Sequence, residues 1–223
     1  TAPGKGDIPN IVYGCNQEVF EKEKEQIFSA ASCTTNAIVP VLKVIQKNLG
    51  IIGGHIETIH SYTNDQNLLD NYHKKYRRGR SAALNMVITE TGAGSAVAKV
   101  IPELAGKLTS NAVRVPTPNV SLAILGLRVQ TDTSRDDVNS LLRNAALHGE
   151  LVEQIQFSVS NELVSTDIVG NSCTSIVDSP ATIVAEDKRN IVLYVWYDNE
   201  YGYTRQVVRL SKFLSNVIRL TYY

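Results

Sequence analysis

The run Ser32-Cys33-Thr34-Thr35-Asn36 sets a thiol among small and hydroxyl side chains. Directly after it, Ile38, Val41, Leu42, Ile45 and Leu49 recur at helical spacing, and Gly50 stands where a C-terminal cap belongs. The spacing predicts a helix over 34–48, bent near Pro40, with Cys33 at or just before its N-terminus. Unpaired N–H groups and the helix dipole favour negative charge there, so the thiol is expected to have a lowered pKa and to act as a nucleophile. By residue type alone, a lone cysteine among small residues is more often a buried structural thiol. His60 closes a β-patterned run and is followed by Ser61, Tyr62 and Thr63, which places it at a strand end as a candidate base for Cys33. His55, His73 and His148 compete with it by type.

Two further features could hold an anion. Thr91-Gly92-Ala93-Gly94 is a small-residue turn ahead of a helical run from Ser95, and its N–H groups could cradle phosphate. No Gly-Lys-Ser/Thr follows, so it is not a Walker loop. Arg114 lies in the proline-stiffened segment 113–118, which suits fixed phosphate recognition. An ordinary loop turn and a surface arginine are the commoner outcomes for such features.

These groups must be positioned by a core. Residues 54–62, 121–131, 156–160 and 190–197 read as core strands, and 10–13 is strand-like. Ser134 with Asp137 forms a capping-box pattern opening a helix that ends near Gly149, and Val207, Leu210, Phe213, Leu214 and Val217 give a last helix over about 205–220. Residues 18–25 form a solvated charged stretch, and 64–80 an ordered or partner-covered loop. Strands and helices are mixed without a βαβ rhythm and no G-x-G-x-x-G follows a strand, so an α+β domain is expected rather than a doubly wound one.

Twenty-two basic and twenty-two acidic residues cancel, so bulk charge points to neither nucleic acid nor a membrane surface. Cys15, Cys33 and Cys173 share no metal-ligand or C-x-x-C spacing, so neither a metal site nor a disulfide framework is expected. No run approaches about eighteen consecutive apolar residues, and residues 1–10 are rich in Gly and Pro rather than basic and apolar, so a cytoplasmic protein is expected.

S-C-T-T-N at 32–36, H-S-Y-T at 60–63, T-G at 91–92, R-V-P-T at 114–117 and W-Y-D-N-E-Y-G-Y at 196–203 together resemble the phosphorylating glyceraldehyde-3-phosphate dehydrogenases over essentially the whole chain. The resemblance implies Cys33 as nucleophile and His60 as its base. It implies that Thr63 and Arg78 hold the substrate phosphate, that Ser32, Thr34, Thr91 and Gly92 hold inorganic phosphate, and that Arg114 serves both. Asn199 would fix the nicotinamide carboxamide, with Tyr203 packed beside it. The cofactor implied is NAD, with NADP as the alternative. The partners implied are a phosphorylated aldose, inorganic phosphate and further copies of the protein in a tetramer.

With this resemblance, the expected fold is α+β: a mixed, largely antiparallel sheet with helices on one face, forming one catalytic domain over 1–223. Residues 1–14 would be a connector from a Rossmann domain that this chain lacks. Asp65 stands where many members have threonine, Ile88 and Glu90 alter the turn before Thr91, and Ala30 replaces an asparagine. A carboxylate beside an anion site weakens phosphate binding unless it points away. Three alternatives stay open: an erythrose-4-phosphate dehydrogenase that hydrolyses its thioester, a non-enzymatic member that keeps the fold, and a cysteine hydrolase using Cys33 and His60. Asn199 and Tyr203 in their motif argue against the last.

Overall fold

The central helix is apolar on nearly every side, and a helix of that kind has to be buried. In the computed structural model, which describes residues 4, 6, 8–21 and 24–217, α1 (Cys33–Leu49) carries Ile38, Val39, Val41, Leu42 and Ile45 with no exposed surface. It runs unbroken through Pro40 and ends at Gly50, whose φ of 66° is the left-handed conformation that glycine adopts at no cost.

The sheet beneath it is built from β-branched runs whose alternate residues face the helices. Its strands are β1 (Ile51–Ser61), β2 (Val87–Thr89), β3 (Leu108–Val115), β4 (Ser121–Val129), β5 (Ile155–Ser158), β6 (Ser175–Asp178), β7 (Ile183–Val184) and β8 (Asn190–Tyr197). They lie in the order β2-β3-β1-β4-β8-β6-β5, with β7 also on β8. Among the described strands, β1 with β3 and β5 with β6 pair parallel and the rest antiparallel. On β4 and β8 the inward residues Ala123, Leu125, Leu127, Ile191, Leu193 and Val195 are buried, while the alternate residues of the other face are largely half-buried. Helix α1 packs across β1, β4, β6 and β8, flanked by α2 (Ala93–Val100) on β3 and α3 (Arg135–Leu147) on β5. The Ser134–Asp137 capping box forms as expected. The α+β fold, with a largely antiparallel sheet and helices on one face, is therefore observed.

Local expectations shift in several places. Residues 10–13 make a single bridge, Asn10 to Ser29, because the chain turns at 13–15 before a second pair can form. The last helix, α4 (Tyr201–Leu214), begins four residues before the expected start at about 205 and ends at Leu214. Within the proline-stiffened segment 113–118, Arg114 lies on β3, and the prolines fall just after the strand. Residues 1–3, 5 and 7 of the expected connector, 22–23 of the charged stretch and 218–220 of the expected last helix lie outside the described residues. Among the described residues, no helix is long and apolar enough to cross a membrane, and no group of three or more His, Cys, Asp or Glu could hold a metal ion.

Candidate active site

Three elements converge at one end of the sheet. Cys33 is the first residue of α1, behind the N-cap Ser32, whose Oγ accepts from Thr35 N–H at 3.1 Å. The chain enters through Ala31 at φ 57°, an uncommon conformation for a residue with a side chain. It is held there by the Ala31 N–H donating to Ser29 Oγ at 3.1 Å and by the Tyr203 hydroxyl donating to the Ala31 carbonyl at 3.1 Å. His60 sits near the end of β1, in register with Arg114 on the parallel strand β3, so both side chains face α1. Cys33 Sγ lies 3.7 Å from His60 Nε2.

On its other side, His60 Nδ1 stands 2.7 Å from the Ser61 carbonyl and 2.6 Å from Arg114 Nη1, which also donates to that carbonyl at 2.9 Å. One nitrogen cannot satisfy both neighbours, so the contacts divide the tautomers. When Nδ1–H donates to the carbonyl, Nε2 presents a lone pair to the thiol and can take its proton. When Nδ1 accepts from Arg114, Nε2–H faces the sulfur and can stabilise a thiolate.

The expected lowering of the thiol pKa is not what the structure gives. Burial pushes the Cys33 thiol up, outweighing hydrogen bonds from Thr34 and the pull of Arg114. Burial first, and the Arg114 charge second, push His60 down to about 4. The resting pair is therefore a neutral thiol beside a neutral imidazole, because the sulfur at the helix N-terminus is also removed from water. Cys15 is pushed up to about 12, mainly by burial, and no disulfide links the three cysteines.

Around this pair lies a cavity of about 290 Å³ whose wall includes Ser32, Cys33, Thr34, His60, Arg78, Thr91, Gly92 and Arg114. Asn10, Thr58, Glu90 and Ala112 also line it, and Thr63 does not. Gly92 caps α2, and Ser110 Oγ braces the turn by donating to the Thr91 carbonyl at 3.2 Å and accepting from Gly94 N–H at 3.0 Å. Arg114 Nε is buried with no hydrogen-bond partner, a donor suited to an anion. Arg78 pairs with the Asp65 carboxylate and donates from Nε to Thr89 Oγ1 at 2.9 Å. Asp65 thus lies against an arginine and not against the cavity, while Glu90 is almost fully exposed at the rim, 4.0 Å from Lys75.

Asn199 and Tyr203 stand behind the cavity wall and do not line it. Asn199 Oδ1 accepts from Ser61 Oγ at 2.9 Å and from Ser121 Oγ at 3.0 Å. The Tyr203 hydroxyl, pushed up to about 12 by burial, is tied to Ala31. The sequence reading gave no role to Ser61, Ser121, Tyr197 or Asp198. Buried Tyr197 shares a hydrogen bond with Thr34 Oγ1 at 3.0 Å and packs edge-on to the His60 ring, with centroids 6.0 Å apart. Asp198 Oδ1 accepts from the Glu200 and Tyr201 N–H groups at 2.9 and 2.8 Å, fixing the turn that carries Asn199 into α4. Three of the four lie inside the quoted H-S-Y-T and W-Y-D-N-E-Y-G-Y runs, which was the available signal.

The model of the family described as "Glyceraldehyde 3-phosphate dehydrogenase, C-terminal domain" matches residues 32–199. A glyceraldehyde-3-phosphate dehydrogenase-like protein of Pseudomonas aeruginosa is 57% identical over 217 residues, covering 97% of this chain and 46% of the relative. Glyceraldehyde-3-phosphate dehydrogenase 2 of Synechocystis is 46% identical over 216 residues, covering 96% of this chain and 63% of the relative. The Geobacillus stearothermophilus glyceraldehyde-3-phosphate dehydrogenase is 42% identical over 216 residues, covering 97% and 64%. The chain thus spans about half to two thirds of the length of the relatives it matches.

Proposed function

Because the chain belongs to the glyceraldehyde 3-phosphate dehydrogenase family and matches its C-terminal domain, we propose that it is the catalytic domain of an NAD-dependent phosphorylating dehydrogenase that oxidises glyceraldehyde 3-phosphate to 1,3-bisphosphoglycerate. One observation carries the reading: Cys33 Sγ and His60 Nε2 stand 3.7 Å apart in a cavity that also holds two arginines and the Thr91–Gly92 turn. Nucleophile, base and anion-binding groups share one enclosure, as acyl transfer to phosphate requires.

In this mechanism, His60 Nε2 takes the thiol proton as Cys33 Sγ bonds to the aldehyde carbon, then returns it to the forming alkoxide to give a thiohemiacetal. A nicotinamide cofactor, when bound, supplies the hydride acceptor that makes the oxidation to a thioester possible. His60 holds the hydroxyl proton released in that oxidation. Inorganic phosphate then attacks the thioester carbon, and Cys33 leaves as a thiolate that His60 reprotonates. Arg114, with its unpartnered buried Nε, is placed to serve both phosphates. The residues present fit the nicotinamide end of the cofactor: with Asn199 Oδ1 taken by two hydroxyls, its Nδ2 is the donor left for a carboxamide oxygen. On the same reading, residues 1–14 connect to a domain that binds the adenosine end. The exposed Leu68, Leu69, Tyr72, Tyr76, Leu84 and Met86 support subunit contact over residues 64–86 in a tetramer.

A second reading, in which water takes the acyl group as in an erythrose-4-phosphate dehydrogenase, is favoured by one feature, the acidic Glu90 at the cavity rim beside the Thr91–Gly92 turn. Product analysis separates the two, since phosphorolysis consumes phosphate and yields an acyl phosphate. The primary test is the iodoacetamide alkylation rate of each cysteine. Cys33 is expected to outpace Cys15 and Cys173 and to lose that advantage in His60→Asn. Equal rates for all three in the full-length protein would remove the catalytic pair.

A further inference from the structure

We propose that Ser61 is a positioning residue that fixes the amide of Asn199 so that its Nδ2, and not its oxygen, is offered to the carboxamide of a nicotinamide ring. The inference rests on the dehydrogenase reading above and goes beyond it by assigning a role to a residue that does not itself face the reacting atoms.

Ser61 has no exposed surface, and its polar groups go to separate parts of the site. Its carbonyl accepts from Arg114 Nη1 at 2.9 Å and stands 2.7 Å from His60 Nδ1. Its N–H donates to Ser121 Oγ at 3.2 Å, and its hydroxyl donates to Asn199 Oδ1 at 2.9 Å. Ser121 Oγ donates to the same oxygen at 3.0 Å from the neighbouring strand. An asparagine amide fits its space either way round, so hydrogen bonding must choose. With Oδ1 toward the two serines, both buried hydroxyl protons find an acceptor. Reversed, Ser61 would lose its acceptor, which buried donors rarely tolerate, and Ser121 would have only the Tyr197 hydroxyl left. The pair of serines therefore selects one orientation, and the amide nitrogen is left as the donor. A carbonyl oxygen is the ligand chemistry that such a donor takes. Because the backbone of Ser61 also seats His60 and Arg114, the cofactor contact and the acid–base pair share one rigid residue, while its hydroxyl acts on the former alone.

The test uses calorimetric affinities of the full-length protein for NAD and for ADP-ribose, which lacks the nicotinamide ring. Ser61→Ala is expected to weaken NAD binding roughly tenfold, the loss of about one hydrogen bond, and to leave ADP-ribose unchanged. Ser121→Ala removes the other donor from a different strand and is expected to show the same split. In an Asn199→Ala background, Ser61→Ala should add nothing, because its effect passes through that amide. The Cys33 alkylation rate should stay at the wild-type value, since His60 is seated by the Ser61 carbonyl. Parallel losses for NAD and ADP-ribose, an additive double mutant, or an unchanged NAD affinity would each overturn the assignment while leaving the dehydrogenase reading intact. A wild-type protein that binds neither probe would overturn both.

Discussion

The strand-end hub around His60 and the loop that carries Arg78 supply the same cavity and are built by different means. In the hub, Cys33 comes from α1, His60 from β1, Arg114 from β3, Ser121 from β4 and Tyr197 from β8, so each side chain is placed by an element whose register burial has fixed. His60 is 5% exposed and Ser61, Ser121 and Tyr197 less. In the loop, Arg78 is aimed by one ion pair and one hydroxyl, and its neighbours Tyr72 and Tyr76 are more than four-fifths exposed. The difference teaches that the groups assigned to bond making and breaking in the proposed function sit on regular elements, where a shift of a fraction of an ångström is resisted by packing. On the same proposal, anion recognition is partly delegated to a surface loop whose arginine is aimed by a charge, which salt and single substitutions can weaken.

If that division is right, damage to the hub should cost far more than damage to the loop. Cys33→Ala is expected to remove dehydrogenase activity altogether, a loss of about 10⁴-fold or more in kcat, because neither Cys15 nor Cys173 lines the cavity with His60. Residual turnover within about a hundredfold of wild type would mean that the nucleophile lies elsewhere. His60→Asn should lower kcat about 10²–10⁴-fold with much less effect on KM, since it removes proton transfer rather than binding. An equal rise in KM would instead assign His60 to substrate binding.

A third comparison uses pH. In the unfolded chain His60 titrates near its ordinary value of 6.5, whereas in the folded protein it does so at about 4. Between those values the unfolded state binds a proton that the native state refuses, so stability falls as pH drops from about 6.5 to about 4 and the contribution is constant outside that window. The gap of about 2.5 units corresponds to roughly 3 kcal/mol for this nearly buried ring. The denaturation midpoint of wild type should therefore fall further than that of His60→Asn as pH drops through this range. Parallel pH profiles would show that the ring is not held neutral.

What the sequence could and could not show divides along the same line. Cys33 at a helix start and His60 at a strand end were legible because each depends on a local pattern, a 3.6-residue period capped by Gly50 and a β-branched run. The neutral state of the thiol was not, because its burial comes from packing that no local spacing reports. Strand β3 was missed since Thr109, Ser110 and Asn111 interrupt its alternation, and with it went the register that sets Arg114 beside His60. The Ser61–Asn199–Ser121 cluster joins positions 60 and 138 residues apart, so it exists only once the strands pair.

The smallest expected effect sharpens the contrast most. Asp65 holds Arg78 through a half-exposed carboxylate, so it competes with any phosphate for the same guanidinium. Asp65→Asn keeps the shape and removes the charge, and should lower KM for one phosphate-bearing reactant by about twofold to fivefold, the scale of an ion pair open to solvent. The effect should shrink in high salt, while kcat, set by the buried pair, should stay constant. Arg78 lines the cavity with Thr91 and Gly92, and Thr63 does not. Measuring KM separately for the aldehyde and for inorganic phosphate therefore tells which of the two the arginine serves. A change confined to inorganic phosphate would group Arg78 with the turn, and one confined to the aldehyde would group it with Thr63. A fall in kcat would show that the loop is mechanically joined to the hub, and the division between the two regions would fail.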